Sequence, residues 1–148
     1  MRIADDWFSK YIRLRDSERT GDEWYGICIT CPRRRRVARI EDGRLKFDYD
    51  WDAGHYVPRG NKVTRYDEEN VNLQCSYHCN RLNSGNLAKY KIALTHKYGD
   101  GIPEKLTKLA EETTYYKLSK LELLEIIHDA KEAIAFYEKQ KKSVTFQL

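Results

Sequence analysis

A chain of 148 residues, 41% hydrophobic and 34% charged, is sized for one domain, or a small core with helical additions, under a wet surface. A mean hydropathy of -0.80 and the lack of a long apolar run exclude a membrane-spanning helix. The start, Met1-Arg-Ile-Ala-Asp-Asp-Trp7, has no leader-like apolar stretch, which predicts a cytoplasmic location and no membrane partner. The net charge of +4 gathers into two groups: Arg33, Arg34, Arg35, Arg36 and Arg39, then Arg59, Lys62 and Arg65. Such groups suit a phosphate backbone, which releases counterions on binding. A solvated loop carries the same pattern, so the arginines decide nothing by themselves.

In chain order, Ile3, Trp7, Phe8, Tyr11, Ile12 and Arg15 keep helical spacing, and a helix is expected over residues 3–16, with Gly21 helping to end the segment. Residues 20–27 read as a connector. Two strands are expected within 28–50 around a turn at Glu41-Asp42-Gly43. Leu45, Phe47, Tyr49 and Trp51 alternate with Lys46, Asp48 and Asp50, the period of a half-buried strand ending near Asp52. A loop over 56–69 follows, then a short strand at about 70–74. A helix is expected from Cys79 to about Tyr98, interrupted around Ser84-Gly85-Asn86. Gly99, Gly101 and Pro103 mark a break before a short helix over about 103–112. Ser119-Lys-Leu-Glu122 is a capping-box pattern opening a last helix to about Gln140. Its stripe of Leu123, Ile127, Ala130, Ile134 and Tyr137 suits core packing, with a dimer interface as the lesser reading. The domain expectation is an N-terminal helix over 1–22, a core over 23–98 and a helical region over 99–148, in one compact unit.

The cysteines fall in two close pairs, Cys28/Cys31 and Cys75/Cys79. In a cytosolic chain such pairs read as metal ligands before disulfides, and zinc takes two ligands from each of two turns. The second pair is one residue longer than the usual knuckle. Cys75 with His78 would restore the usual spacing, so His78 is a reserve ligand to Cys79. A structural Zn2+ would bracket the segment 52–72, which holds Asp52-Ala-Gly-His55 and Asn70, with Asn80 directly after Cys79. A neutral imidazole near pH 7 can take a proton from water. Oxygen ligands from Asp and Asn side chains suit a hard cation such as Mg2+ or Mn2+ that stabilises charge on a scissile phosphate.

Cys28-x-x-Cys31, Asp52-Ala-Gly-His55, Asn70, Cys75 and Cys79-Asn80 follow the HNH order. More closely, Trp51-Asp-Ala-Gly-His-Tyr56, Arg65-Tyr-Asp-Glu-Glu-Asn70, Gln74-Cys75, Cys79-Asn80 and Ser84-Gly-Asn86, with Trp7 to Asp16, resemble the NinG (Rap) recombination proteins of lambda-like phages. The resemblance spans about residues 5–100. It implies an α+β fold with a zinc-stapled ββα-metal core, a phage or prophage origin in a bacterial host, and a DNA endonuclease acting on branched recombination intermediates such as Holliday junctions. It implies His55 as general base, Asn70 as the amide orienting the loop and the histidine, and Asn80 as a ligand of a catalytic divalent cation, with Asp52 as the nearest carboxylate. Three positions depart from the pattern. Gly54 stands where the acidic ligand often precedes the histidine, the second knuckle carries an extra residue, and Asn83 stands where related sequences often have Lys. Arg33–Arg36, Arg59, Lys62 and Arg65 are expected to hold phosphates. A zinc-ribbon DNA-binding or architectural protein that cuts nothing is the alternative; the His55, Asn70 and Asn80 set favours the enzyme. A two-fold junction suits a homodimer.

Overall fold

The computed structural model describes residues 1–140; residues 141–148 of the expected C-terminal region lie outside the described residues. Among the described residues four α-helices and one π-helical segment flank two antiparallel sheets, an α+β fold. Helix α1 (Arg2–Arg15) is followed by a meander of β1 (Ser17–Thr20), β2 (Glu23–Ile27), β3 (Arg34–Glu41) and β4 (Arg44–Phe47). Strands β5 (Trp51–His55) and β6 (Val71–Cys75) form a separate two-stranded sheet, and a π-helical segment (Ser76–Leu82) leaves β6 directly. Helices α2 (Leu87–Tyr98), α3 (Ile102–Glu112) and α4 (Lys120–Lys139) complete the described chain. None of its helices is long and apolar enough to cross a membrane.

The segment 20–27, expected as a connector, is a hairpin instead. Thr20 pairs with Glu23 across Gly21-Asp22, and Gly21 takes a positive φ of 67°, which a tight hairpin turn needs at its first central position. Its strands are too polar to announce themselves by period, because in β2 only Trp24 and Gly26 are buried. The turn at Asp42-Gly43 is as expected, with φ of 52° and 70°.

The alternation from Leu45 to Trp51 is real, but it serves two sheets. Leu45 and Phe47 turn toward a core of Leu14, Trp24, Ala38 and Ile134, beneath α1 and α4. Trp51 turns into another, built from Cys28, Val37, Leu73, Cys75 and Cys79, and its indole donates to the Arg36 carbonyl at 2.9 Å. Between them the chain breaks at Tyr49, which is 99% exposed. The single long strand is therefore corrected to two strands joined by a bend, since each inward position needs a different core.

Helix α1 is buried on two sides. Leu14, with Trp7 and Tyr11 packed beside it, belongs to the α4-meander core, whereas Phe8 and Ile12 pack on Val71 of β6. Helix α4 opens with the expected capping box: Ser119 Oγ accepts from Glu122 N, and the Glu122 carboxylate accepts from Ser119 N. Its stripe residues Ala130 and Ile134 are buried, and Ile134 and Tyr137 join the α1 core, so this face is used within the chain.

Candidate active site

The four cysteines converge. Sγ atoms of Cys28, Cys31, Cys75 and Cys79 all lie within 4.8 Å of one another, and Cys31 and Cys75 are 3.8 Å apart. Tetrahedral zinc with ligands at about 2.3 Å separates its sulfurs by about 3.8 Å, whereas a disulfide needs about 2.05 Å, so the donor set fits zinc and not a bridge. Burial raises the Cys28 thiol, but hydrogen bonds from the Thr30 hydroxyl and the Cys75 amide outweigh it and bring it down to about 7. Burial pushes the Cys31 and Cys75 thiols up. Such a cluster takes up zinc with release of protons.

His78 is exposed and stands outside this cluster, so Cys79 closes it. The winding explains how a stretched knuckle still closes. Residues 76–82 run as a π-helix, whose i→i+5 turn is wider than an α-turn and absorbs the extra residue. Gly85 N extends the same pattern by donating to the Asn80 carbonyl at 3.0 Å, and it also reaches the Cys79 carbonyl at 3.1 Å. Neighbouring residues on this turn serve opposite sides: Cys79 faces the thiol cluster, and Asn80 lines a cavity.

That cavity, of about 490 Å³, brings together Asp52, His55 and Asn80 with Arg59, Ser84 and Leu87. Asn80 Nδ2 donates to Asp52 Oδ2 at 2.8 Å. One carboxylate and one amide thus meet at a partly open wall, hard oxygen donors of the kind a small divalent cation takes. His55 ends β5 and places Nε2 2.9 Å from the Arg65 carbonyl. A carbonyl only accepts, so Nε2 carries the proton and Nδ1 is left with its lone pair. Burial depresses the His55 pKa below its ordinary 6.5, opposed by the hydrogen bond to Arg65, so the ring is neutral at pH 7.

The loop between β5 and β6 is fastened by Asn70, which is fully buried. Its Nδ2 donates to the Val57 and Thr64 carbonyls at 3.1 and 3.0 Å, and its Oδ1 accepts from Val57 N at 2.7 Å. Asn70 does not line the cavity; it holds the loop whose next carbonyl, that of Arg65, anchors His55. Tyr90, from α2, adds a support that sequence periodicity did not single out. Its hydroxyl donates to the Gly54 carbonyl at 2.6 Å, next to His55 in the strand.

Gly54 has a steric reason. A Cβ there would stand 2.2 Å from Gln74 Oε1 and 2.9 Å from Gln74 Cβ. Gln74 is fully buried and fixed through its Nε2, which donates to Thr30 Oγ1 and to the Gly85 carbonyl at 3.0 and 2.8 Å. No side chain fits at 54, and the carboxylate that β5 brings to the cavity comes from Asp52.

The expected phosphate-holding residues divide. Arg59 is exposed at the cavity. Arg33, Arg34 and Arg35 are exposed beside the first knuckle; Arg34 stacks on Tyr25 at 5.0 Å, and Arg35 lies 3.7 Å from Asp50. Arg36 pairs with Glu23 and Asp48, both at 2.8 Å, and Arg39 with Asp48 and Glu41. Lys62 lines a separate cleft with Glu122, Glu125 and Asp129 of α4. Arg65 is only 8% exposed, and its side chain is engaged by Asp5 of α1. Asp5, Phe8 and Ser9 of α1 form one wall of the cavity, a contribution that the helical pattern of 3–16 did not reveal.

The family model for the Bacteriophage Lambda NinG protein matches residues 3–141. The chain belongs to this family. NinG relatives include the protein ninG of Enterobacteria phage H19B, 38% identical over 68 residues, which are 45% of this chain and 33% of that relative. The ninG proteins of Escherichia phage 933W and Salmonella phage P22 are each 42% identical over 50 residues, 33% of this chain and 24% of theirs. The matched segments thus span about a third or less of these NinG relatives. No solved structure matches the chain.

Proposed function

We propose that this NinG-family chain is a metal-dependent DNA endonuclease of the HNH type acting on branched recombination intermediates. The observation that carries the reading is His55, held by the Arg65 carbonyl with Nδ1 free of protein partners among the described residues, in one cavity with the Asp52-Asn80 pair. Strands β5 and β6 with the helical segment after them have the order of a ββα-metal core. Zinc on the four clustered cysteines would hold this frame. Mg2+ or Mn2+ on Asp52 and Asn80 would stabilise the charge that builds on the phosphate and on the leaving oxygen.

His55 Nδ1 takes a proton from a water whose oxygen bonds to phosphorus; the phosphorus–O3′ bond breaks, O3′ leaves with the bonding pair and takes a proton from solvent, and the ends are 5′-phosphate and 3′-hydroxyl. Arg59, at the cavity, holds a flanking phosphate, and Arg33–Arg35 extend the contact without reading sequence. Cutting a two-fold junction symmetrically suits two copies, and the mass of the protein–junction complex tests that.

The deciding experiment is cleavage of a labelled four-way junction in Mg2+ or Mn2+. Wild type is expected to cut, and His55→Ala, with zinc content and melting curve intact, to lose about a hundredfold or more in rate. Equal binding by both proteins with no cleavage by either leaves a zinc-ribbon DNA-binding protein and overturns the enzyme reading.

A further inference from the structure

The base in the proposed reaction is only as well placed as the carbonyl that holds its ring. That carbonyl belongs to Arg65, in a loop that would otherwise drift. Three consecutive residues of this loop are tied down. The Thr64 carbonyl accepts from Asn70 Nδ2 at 3.0 Å. The other two ties come from outside the β5–β6 unit, from the first turn of α1. Arg65 Nε donates to Asp5 Oδ1 at 2.8 Å and Nη2 to Asp5 Oδ2 at 2.5 Å, a two-pronged ion pair. Tyr66 Oη donates to Asp5 Oδ1 at 2.8 Å. The third Arg65 prong, Nη1, donates to the Arg59 carbonyl at 3.0 Å, closing the loop on itself.

We infer that Asp5 is a positioning residue: by clamping Arg65 and Tyr66 it holds the Arg65 carbonyl in place and so fixes the tautomer and aim of His55. The inference rests on the nuclease reading of His55. Asp5 has no hydrogen bond to His55; it acts through the Arg65 backbone, and its charge also reaches the ring through space, favouring the protonated form against burial. Burial pushes the Asp5 carboxyl up, but the Arg65 and Tyr66 hydrogen bonds outweigh it and hold it below its ordinary 3.8, so the clamp is charged throughout the neutral range. The Arg65 side chain is 9% exposed and that of Asp5 22%, so water competes little for the pair.

The test uses the zinc-loaded full chain, with ring nitrogens of His55 observed by 15N NMR and junction cleavage followed in Mg2+ under single-turnover conditions. Wild type is expected to hold the Nε2–H tautomer. Asp5→Asn, which keeps volume and removes the charge, is expected to mix the tautomers and to slow cleavage about 10- to 100-fold with junction binding unchanged. Tyr66→Phe leaves the ion pair and is expected to shift both readouts less, in the same direction; it carries the test if Asp5→Asn melts early. A folded Asp5→Asn with the wild-type tautomer overturns the inference, whatever its rate. A wild type that cuts nothing overturns the nuclease reading instead, and the tautomer still decides whether Asp5 clamps the ring.

Discussion

His55 has one nitrogen committed to a carbonyl and the other open, and burial keeps the ring neutral. Its folded pKa lies below 6.5, so the sign of its linkage is set: the unfolded ring binds a proton first as pH falls. The contribution to stability is complete above 6.5 and declines as pH drops from there toward the folded pKa. The acid limb of cleavage in saturating Mg2+ should have its midpoint below 6.5; a midpoint above 7 would exclude His55 as the group that limits the rate. Gly54 gives a second residue-scale expectation. Gly54→Ala drives a methyl into Gln74, which two hydrogen bonds hold in place, and should cost about 1–3 kcal/mol by denaturant titration. His55, Asn70 and Asn80 were singled out by their order around the cysteine pairs and by the NinG resemblance; the structure puts His55 and Asn80 at the cavity and Asn70 in the loop beside it. Asp5 was not, since an acidic residue in the first turn of a helix has an ordinary explanation in the helix dipole. Nor was the burial of Arg65, which its loop composition made look like a surface cation.

At the scale of elements, the π-helical segment is the joint between the thiol cluster and the cavity, because Cys79 and Asn80 are adjacent on it. Deleting the exposed Tyr77 restores the ordinary knuckle spacing and is expected to return the segment to α-helical winding. Zinc is then expected to stay at one per chain by metal analysis, while Asn80 rotates off Asp52 and Mg2+-dependent cleavage is lost. Retention of full activity would show that the winding has no bearing on the site. The sequence carried the stretched spacing but not its remedy, as winding responds to the cluster and the cavity together. The hairpin of β1 and β2 escaped notice for a similar reason: its strands gain their stability from one buried tryptophan and from neighbouring strands, which no local period records.

Across the whole molecule, α1 and α4 close the structure on itself. Arg19 Nη1 donates to the Glu138 carbonyl at 2.7 Å, 119 residues away in sequence, and its guanidinium lies 4.6 Å from the Trp24 ring. The Ser119 cap starts the helix that makes this closure. Ser119→Ala should lower global stability by about 1 kcal/mol, read as a shift of the denaturant midpoint at unchanged slope. The periodicity and capping box made α4 visible in sequence; its partner was not visible, because pairing two amphipathic helices across the chain is a property of the packed interior. The closure also sets a timetable. Contacts of such long range slow folding, and a ribosome releases α1 well before α4. Asp5 is carried on α1, whose packing face needs α4 to cover it. A nascent chain can gather its four cysteines while the cavity still lacks a settled wall, so the translation of α4, and not the uptake of metal, is the event expected to complete the site.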